Sequence, residues 1–155
     1  ARWGYIDRVI GRPRPLQPEL AAAIPALGHG MRPRRAWQPG AGEPPATQSA
    51  WELAAREYET DTQQHINNCV YGDWLSEGLH LALLSWPDGP APSTVCPRAY
   101  RIEYVRPARA GAELRVATQV WARGRRGLLA RQEIVDARDA TLYLRARSEH
   151  LIALG

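Results

Sequence analysis

Between Tyr58 and Leu75 the chain sets Asp61, Gln63, His65, Asn67 and Asn68 directly ahead of a long apolar stretch. That is a carboxylate, an imidazole and three carboxamides at the mouth of a predicted helix. Helix N-termini carry unpaired N–H groups and a partial positive charge, so they attract anions and polarise carbonyls. A carboxylate held beside such an end suits acyl transfer. Such chemistry needs a nucleophile or an activated water and donors that polarise the carbonyl. The N–H groups near Cys69 and Val70 are the candidate donors.

Each residue also has a plainer reading. Asp61 fits a turn or helix cap, and Asn67 and Asn68 fit capping of the first helical turn. His65 fits a structural role and Gln63 an exposed loop amide. Cys69 sits where a thiol's pKa falls, but it also fits a small buried hydrophobe. Glu77 fits a buried structural acid bonded to loop amides.

These groups need a scaffold. Tyr71, Leu75, Gly78, Leu79, Ala82 and Trp86 share one face at helical spacing, which predicts a helix over residues 71–86. Trp74, Leu81, Leu83 and Leu84 widen that face, so the helix is expected to be buried nearly all round. Gly72 and Gly78 weaken it intrinsically and suggest close packing. Pro87 and Gly89 stop it. Residues 53–58 suit a strand leading into the polar run. Alternating patterns over 98–106, 113–122, 128–135 and 141–152 predict four more strands joined by hairpin-length loops. Strand, polar loop, buried helix and antiparallel meander add up to an α+β architecture, one long helix wrapped by a curled antiparallel sheet.

Residues 1–50 differ in texture from residues 51–155, which read as the folded domain. They hold eight of the thirteen prolines, which excludes long helix or central strand. Residues 3–7 read as a short strand, 18–24 as a turn or two of helix, and 40–49 as a linker. All twenty basic residues are arginine, and the net charge is +4. Seven arginines against Asp7, Glu19 and Glu43 place that excess in the first fifty residues; the remainder is neutral.

With 155 residues, 45% apolar and 23% charged, the chain is long enough and apolar enough for one globular core. Dispersed arginine without aromatic interleaving argues against nucleic acid as a partner. No apolar run reaches membrane-spanning length, and nothing in the first residues has the expected shape of a signal peptide. Cys69 and Cys96, the only cysteines, make no disulfide framework, so a reducing, cytoplasmic setting is expected. No metal-ligand spacing occurs, and no phosphate loop or serine nucleophile elbow is present.

The run Asp61-x-Gln63-x-His65-x-Asn67-Asn68-x-x-Tyr71-x-x-Trp74 resembles the signature of the hydroxybenzoyl-CoA thioesterase-like superfamily, whose fold is the hot-dog. It is most similar to the acyl-ACP thioesterases of plants and bacteria, in which the pattern is D-x-N-x-H-x-N-N-x-x-Y-x-x-W. Residues 3–7, 11–13 and 16–20 resemble that family's crossing from its first hot-dog to its second. The resemblance implies that the chain corresponds to the carboxy-terminal half of a double hot-dog. It implies hydrolysis of acyl-ACP or acyl-CoA, with Asp61 as central carboxylate, His65 and Gln63 assisting, and no metal or cofactor. Glu77 is the backup carboxylate, because some hot-dog thioesterases use a helix glutamate. A groove between two hot-dog units would hold the pantetheine arm, so a homodimer or pairing with another unit is expected. The arginines at 32, 34 and 35 would face an acidic carrier protein or CoA phosphates.

Two departures stand out. The family's asparagine is Gln63 here, and its Glu-Cys pair aligns near Pro107 and Ala108, neither of which can act as base or nucleophile. A non-catalytic binding or assembly module is therefore the competing expectation. A different reaction on the same scaffold, such as dehydration, ranks below both.

Overall fold

The computed structural model describes residues 5–6, 13–14, 18 and 42–153. The chain divides into two compact units, residues 1–36 and 37–155. In the first, β1 (Tyr5–Ile6) pairs antiparallel with β2 (Pro13–Arg14). Tyr5 and Ile6 lie inside the segment expected as a strand. Pro18 is helical, and the rest of the expected 18–24 helix lies outside the described residues. So do His29, Arg32, Arg34 and Arg35.

The second unit is a five-stranded antiparallel sheet with one long helix on one face. Its elements are β3 (Thr47–Ala54), α1 (Asn68–Leu84), β4 (Val95–Tyr104), β5 (Glu113–Arg123), β6 (Gly127–Asp136) and β7 (Leu142–Ile152). The strand order is β3-β5-β6-β7-β4, so β3 and β4 form the edges. This is the expected α+β, hot-dog arrangement. Pro97, which has no N–H to donate, sits on edge strand β4 at a register shift.

Three of the boundaries that differ from the sequence-based expectation have a local physical cause. β3 begins at Thr47, inside the stretch read as linker, because Thr47 to Ala54 pairs residue for residue with β5. It also ends at Ala54, four residues short of the expected limit, where Glu57–Glu59 form a 3-10 turn instead. The helix starts one turn earlier than the apolar pattern indicated, because Asn67 caps it.

A further correction concerns how α1 is buried. Tyr71, Trp74, Leu75, Gly78, Leu79, Ala82 and Leu83 are buried, but Cys69, Asp73, Ser76, Glu77, His80 and Leu84 are exposed. The helix is half covered, with its buried face against Leu114, Val116, Ile134 and Leu144 at one end and Val120, Leu128 and Ala130 at the other. Burying such side chains contributes about 1.5–3 kcal/mol each.

Polar side chains of the sheet also grip the helix backbone. Gln132 Nε2 donates to the Leu75 carbonyl at 2.7 Å and to Thr118 Oγ1 at 3.0 Å. Thr47 Oγ1 donates to Ala82 O at 3.1 Å, and Ser49 Oγ to Gly78 O at 3.4 Å. Gly78 permits this close approach: a Cβ there would lie 2.8 Å from Thr118 Oγ1 and 3.0 Å from Val116 Cγ1. Gly72 has no such reason, since a Cβ there meets nothing within 4 Å. Among the described residues no helix is long and apolar enough to cross a membrane.

Candidate active site

The segment entering α1 is a closed loop. Thr60 and Ile66 form a β-bridge across it. The Asp61 amide donates to His65 O at 2.7 Å, and the Asn67 amide to Glu59 O at 2.9 Å. Ile66 is buried, and its amide donates to Ala108 O at 2.9 Å, which ties the loop to the chain after β4. Gln64 takes a left-handed conformation with φ 59° to make the turn.

Within this loop Asp61 has a defined pose. One carboxylate oxygen, Oδ1, accepts from the amides of Gln63 at 2.8 Å and His65 at 3.2 Å. The acid is thus held by its own loop and remains exposed to solvent. The second oxygen is not used in these bonds. Gln63 and His65 come together with Asp61 through their backbones; the Gln63 side chain is exposed and His65 is half-buried.

Asn67 takes the capping role: its Oδ1 accepts from Cys69 N at 3.0 Å, and its carbonyl accepts from Val70 N at 3.0 Å. The two amides named as candidate carbonyl-polarising donors are therefore engaged by the cap. The Asn68 N–H, at the first helical position, is the first-turn amide that this cap does not use. Cys69 is an exposed free thiol rather than a buried hydrophobe, because it lies on the solvent-facing stripe of α1 with Asp73, Ser76 and His80.

Glu77 is also exposed, not buried against loop amides. It lies seven residues past Val70, about 10 Å along the helix axis. No hydrogen bond joins it to the Asp61 loop among the described residues. It sits instead on the solvent-facing stripe of α1 with Asp73 and His80.

The helix mouth is floored by aromatic rings. Tyr71 packs edge-on against Trp74 at 5.3 Å and against Tyr104 at 5.8 Å between ring centroids. The Tyr71 hydroxyl accepts from the Ala108 amide at 2.9 Å, and Tyr104 donates to Asn68 O at 3.4 Å. Burial raises the pKa of both phenols, so both stay neutral donors and acceptors. Pro107 and Ala108, where the resemblance leads one to expect the family's Glu-Cys pair, thus lie beside the helix mouth, with Ala108 buried and Pro107 exposed. Tyr104 was not singled out from sequence; its signal is the alternation of Tyr100, Ile102 and Tyr104 on β4, which aims all three at the helix side.

No group of three or more potential metal ligands occurs among the described residues. A groove of about 760 Å³ does not coincide with this site. It lies on the sheet face opposite α1, so the candidate chemistry rests on the loop geometry alone.

Residues 56–154 match the family model of the thioesterase-like superfamily. No curated protein matches the chain at a significant level. A 1,4-dihydroxy-2-naphthoyl-CoA thioesterase from Synechocystis superposes with a TM-score of 0.61 at 20% identity, covering 70% of this chain and 84% of that one. The E. coli PaaI protein, from the phenylacetic acid degradation operon, gives 0.61 at 18% identity, covering 70% and 74%. The 12:0-ACP thioesterase of Umbellularia californica gives 0.61 at 16% identity; 67% of this chain matches only 42% of that one. At these identities the likeness shows a shared fold.

Proposed function

The chain belongs to the thioesterase-like superfamily, and from that premise we propose that it hydrolyses an acyl thioester to a free acid and a thiol, with Asp61 as the central carboxylate. The observation that supports this most is the closed loop that fixes Asp61 seven residues before the start of α1. Two backbone donors hold Oδ1 in place and leave Oδ2 for the reaction. In this reading Oδ2 attacks the thioester carbon or takes a proton from an attacking water. The carbonyl oxygen, negative in the transition state, is stabilised by the helix N-terminus through the Asn68 amide. His65 and Gln63 border the reacting centre, Asn67 holds the helix start, and Glu77 is the reserve carboxylate. The thiolate leaves with its carrier.

A single chain offers no acyl tunnel at the helix mouth among its described residues. The proposal therefore includes a second hot-dog unit that completes the groove and covers the exposed stripe of α1. The carrier is proposed to be acyl carrier protein, from the motif's resemblance and the fold shared with a plant 12:0-ACP thioesterase. CoA is the alternative. Thiol release from matched acyl-ACP and acyl-CoA substrates tests both points. Release from the ACP form at a higher kcat/KM supports the full reading, and release from neither contradicts it.

A second reading has its own observation. Pro107 and Ala108 stand where the acyl-ACP thioesterases carry Glu and Cys, and the Cys69 and Val70 amides are already engaged. Both fit a binding module without hydrolysis.

A further inference from the structure

The sheet face opposite α1 carries a row of side chains that the proposed hydrolysis does not use. Cross-strand pairing places Gln48 opposite Gln119, Gln119 opposite Arg131, Arg131 opposite Arg147 and Arg147 opposite Arg101. Three arginines thus stand side by side on β6, β7 and β4. Like charges directly opposite each other on a sheet are destabilising. The next row adds two carboxylates and one arginine to that face. There Arg145 lies between Glu133 and Glu103 and is paired with Glu103 at 3.3 Å. None of the three row arginines makes an ion pair among the described residues.

The row lines a groove of about 760 Å³ whose wall also includes Ala50, Ala117, Arg145 and the carboxylates Glu103 and Glu133, four arginines against two acids. That volume falls within the range of small-molecule sites, roughly 300–1,000 Å³. Strands lie about 4.8 Å apart, so the three guanidinium groups are rooted across about 10 Å. Guanidinium forks match phosphate oxygens in planar, paired hydrogen bonds. Ala50 and Ala117 leave a low, flat floor beside the arginines, and Gln48 and Gln119 supply amide edges at its margin.

We propose that this groove is a second ligand site, distinct from the helix mouth, for a small molecule bearing two or more phosphate groups, of the nucleoside diphosphate class. A bound polyphosphate offsets the repulsion that the arginine row otherwise imposes on the sheet. A concave groove of this size favours a small ligand over an acidic protein surface.

The test is calorimetric titration of the full chain with ADP and with inorganic pyrophosphate. Expected is saturable binding that falls about ten- to a hundredfold in Arg131→Gln and in Arg147→Gln. Arg138→Gln, an exposed arginine outside the groove, should bind with little change. Without ligand, Arg131→Gln should unfold at the same or a higher temperature, because a like-charge contact is removed; that outcome separates a site from a structural role. Equal affinity in wild type and both variants overturns the proposal. So does binding no tighter than that of sulfate at matched ionic strength. Oligomer dissociation in Arg131→Gln, showing that another copy covers the face, overturns it too. Thiol release is not a readout here, so the result stands apart from that of the hydrolysis proposal.

Discussion

At the scale of single residues, Asp61 and His150 show what spacing reveals and what it hides. The interval from Asp61 to Trp74 carried the family likeness because catalytic and capping groups need fixed offsets around a helix start. The capping role of Asn67 was legible for the same reason. The exposure of Cys69 and Glu77 was not, since it depends on which stripe of the helix the sheet covers. Nor was His150 distinctive in sequence. It is buried on β7, shares a 2.7 Å hydrogen bond with Ser148 Oγ, and packs edge-on with Tyr100. Burial lowers its pKa from 6.5 to about 4. As pH falls through 6.5 the unfolded chain takes up this proton first and the folded chain does not. The stability that neutral His150 allows is therefore full above pH 6.5 and lost progressively toward pH 4, by about 2–3 kcal/mol in all. Urea titrations between pH 7 and 4 should show this decline, and His150→Gln should flatten it. An equal slope in the variant would assign the decline to other groups.

At the scale of elements, the helix–sheet contact decides most of the stability. Periodicity announced the helix, yet it could not separate the two glycines inside it. Gly78 faces Thr118, Val116 and Gln132, whereas Gly72 faces open space. Gly78→Ala is expected to destabilise by about 1–3 kcal/mol through overpacking, despite the better helix propensity of alanine. Gly72→Ala is expected to stabilise by up to about 1 kcal/mol in the isolated chain. Denaturant midpoints for the two variants check this, and opposite signs are the diagnostic result. The hydrogen bonds from Gln132, Thr47 and Ser49 into the helix carbonyls were illegible, because a polar residue in an alternating strand gives no sign of which distant backbone it meets. The start of β3 was missed for a related reason: Pro44 and Pro45 masked a strand whose case rests on its partner β5.

At the scale of the whole molecule, the architecture was the most legible feature. One apolar helix followed by four alternating segments has few compact solutions, and the five-stranded sheet with a single helix is the one observed. What sequence could not give was the amount of α1 left uncovered. The exposed stripe of the helix, the exposed rings of Tyr100 and Tyr104, and the open edge of β4 lie on the side where a second hot-dog unit is proposed to dock. Light scattering at micromolar concentration should report a dimer. Asp73→Arg together with Glu77→Arg, which reverses the charge of that stripe, should shift the population toward monomer. A monomeric wild-type chain would remove the completed groove from the account.

The central claim is that the loop carboxylate drives thioester cleavage, and it is tested most directly by single-turnover thiol release from an acyl-ACP or acyl-CoA substrate by wild type and Asp61→Asn. Asparagine keeps the Oδ1 contacts to the Gln63 and His65 amides but removes the acid. A fall of about 10²–10⁴ with unchanged folding is predicted. Equal rates in the two proteins would contradict the account and leave only the fold.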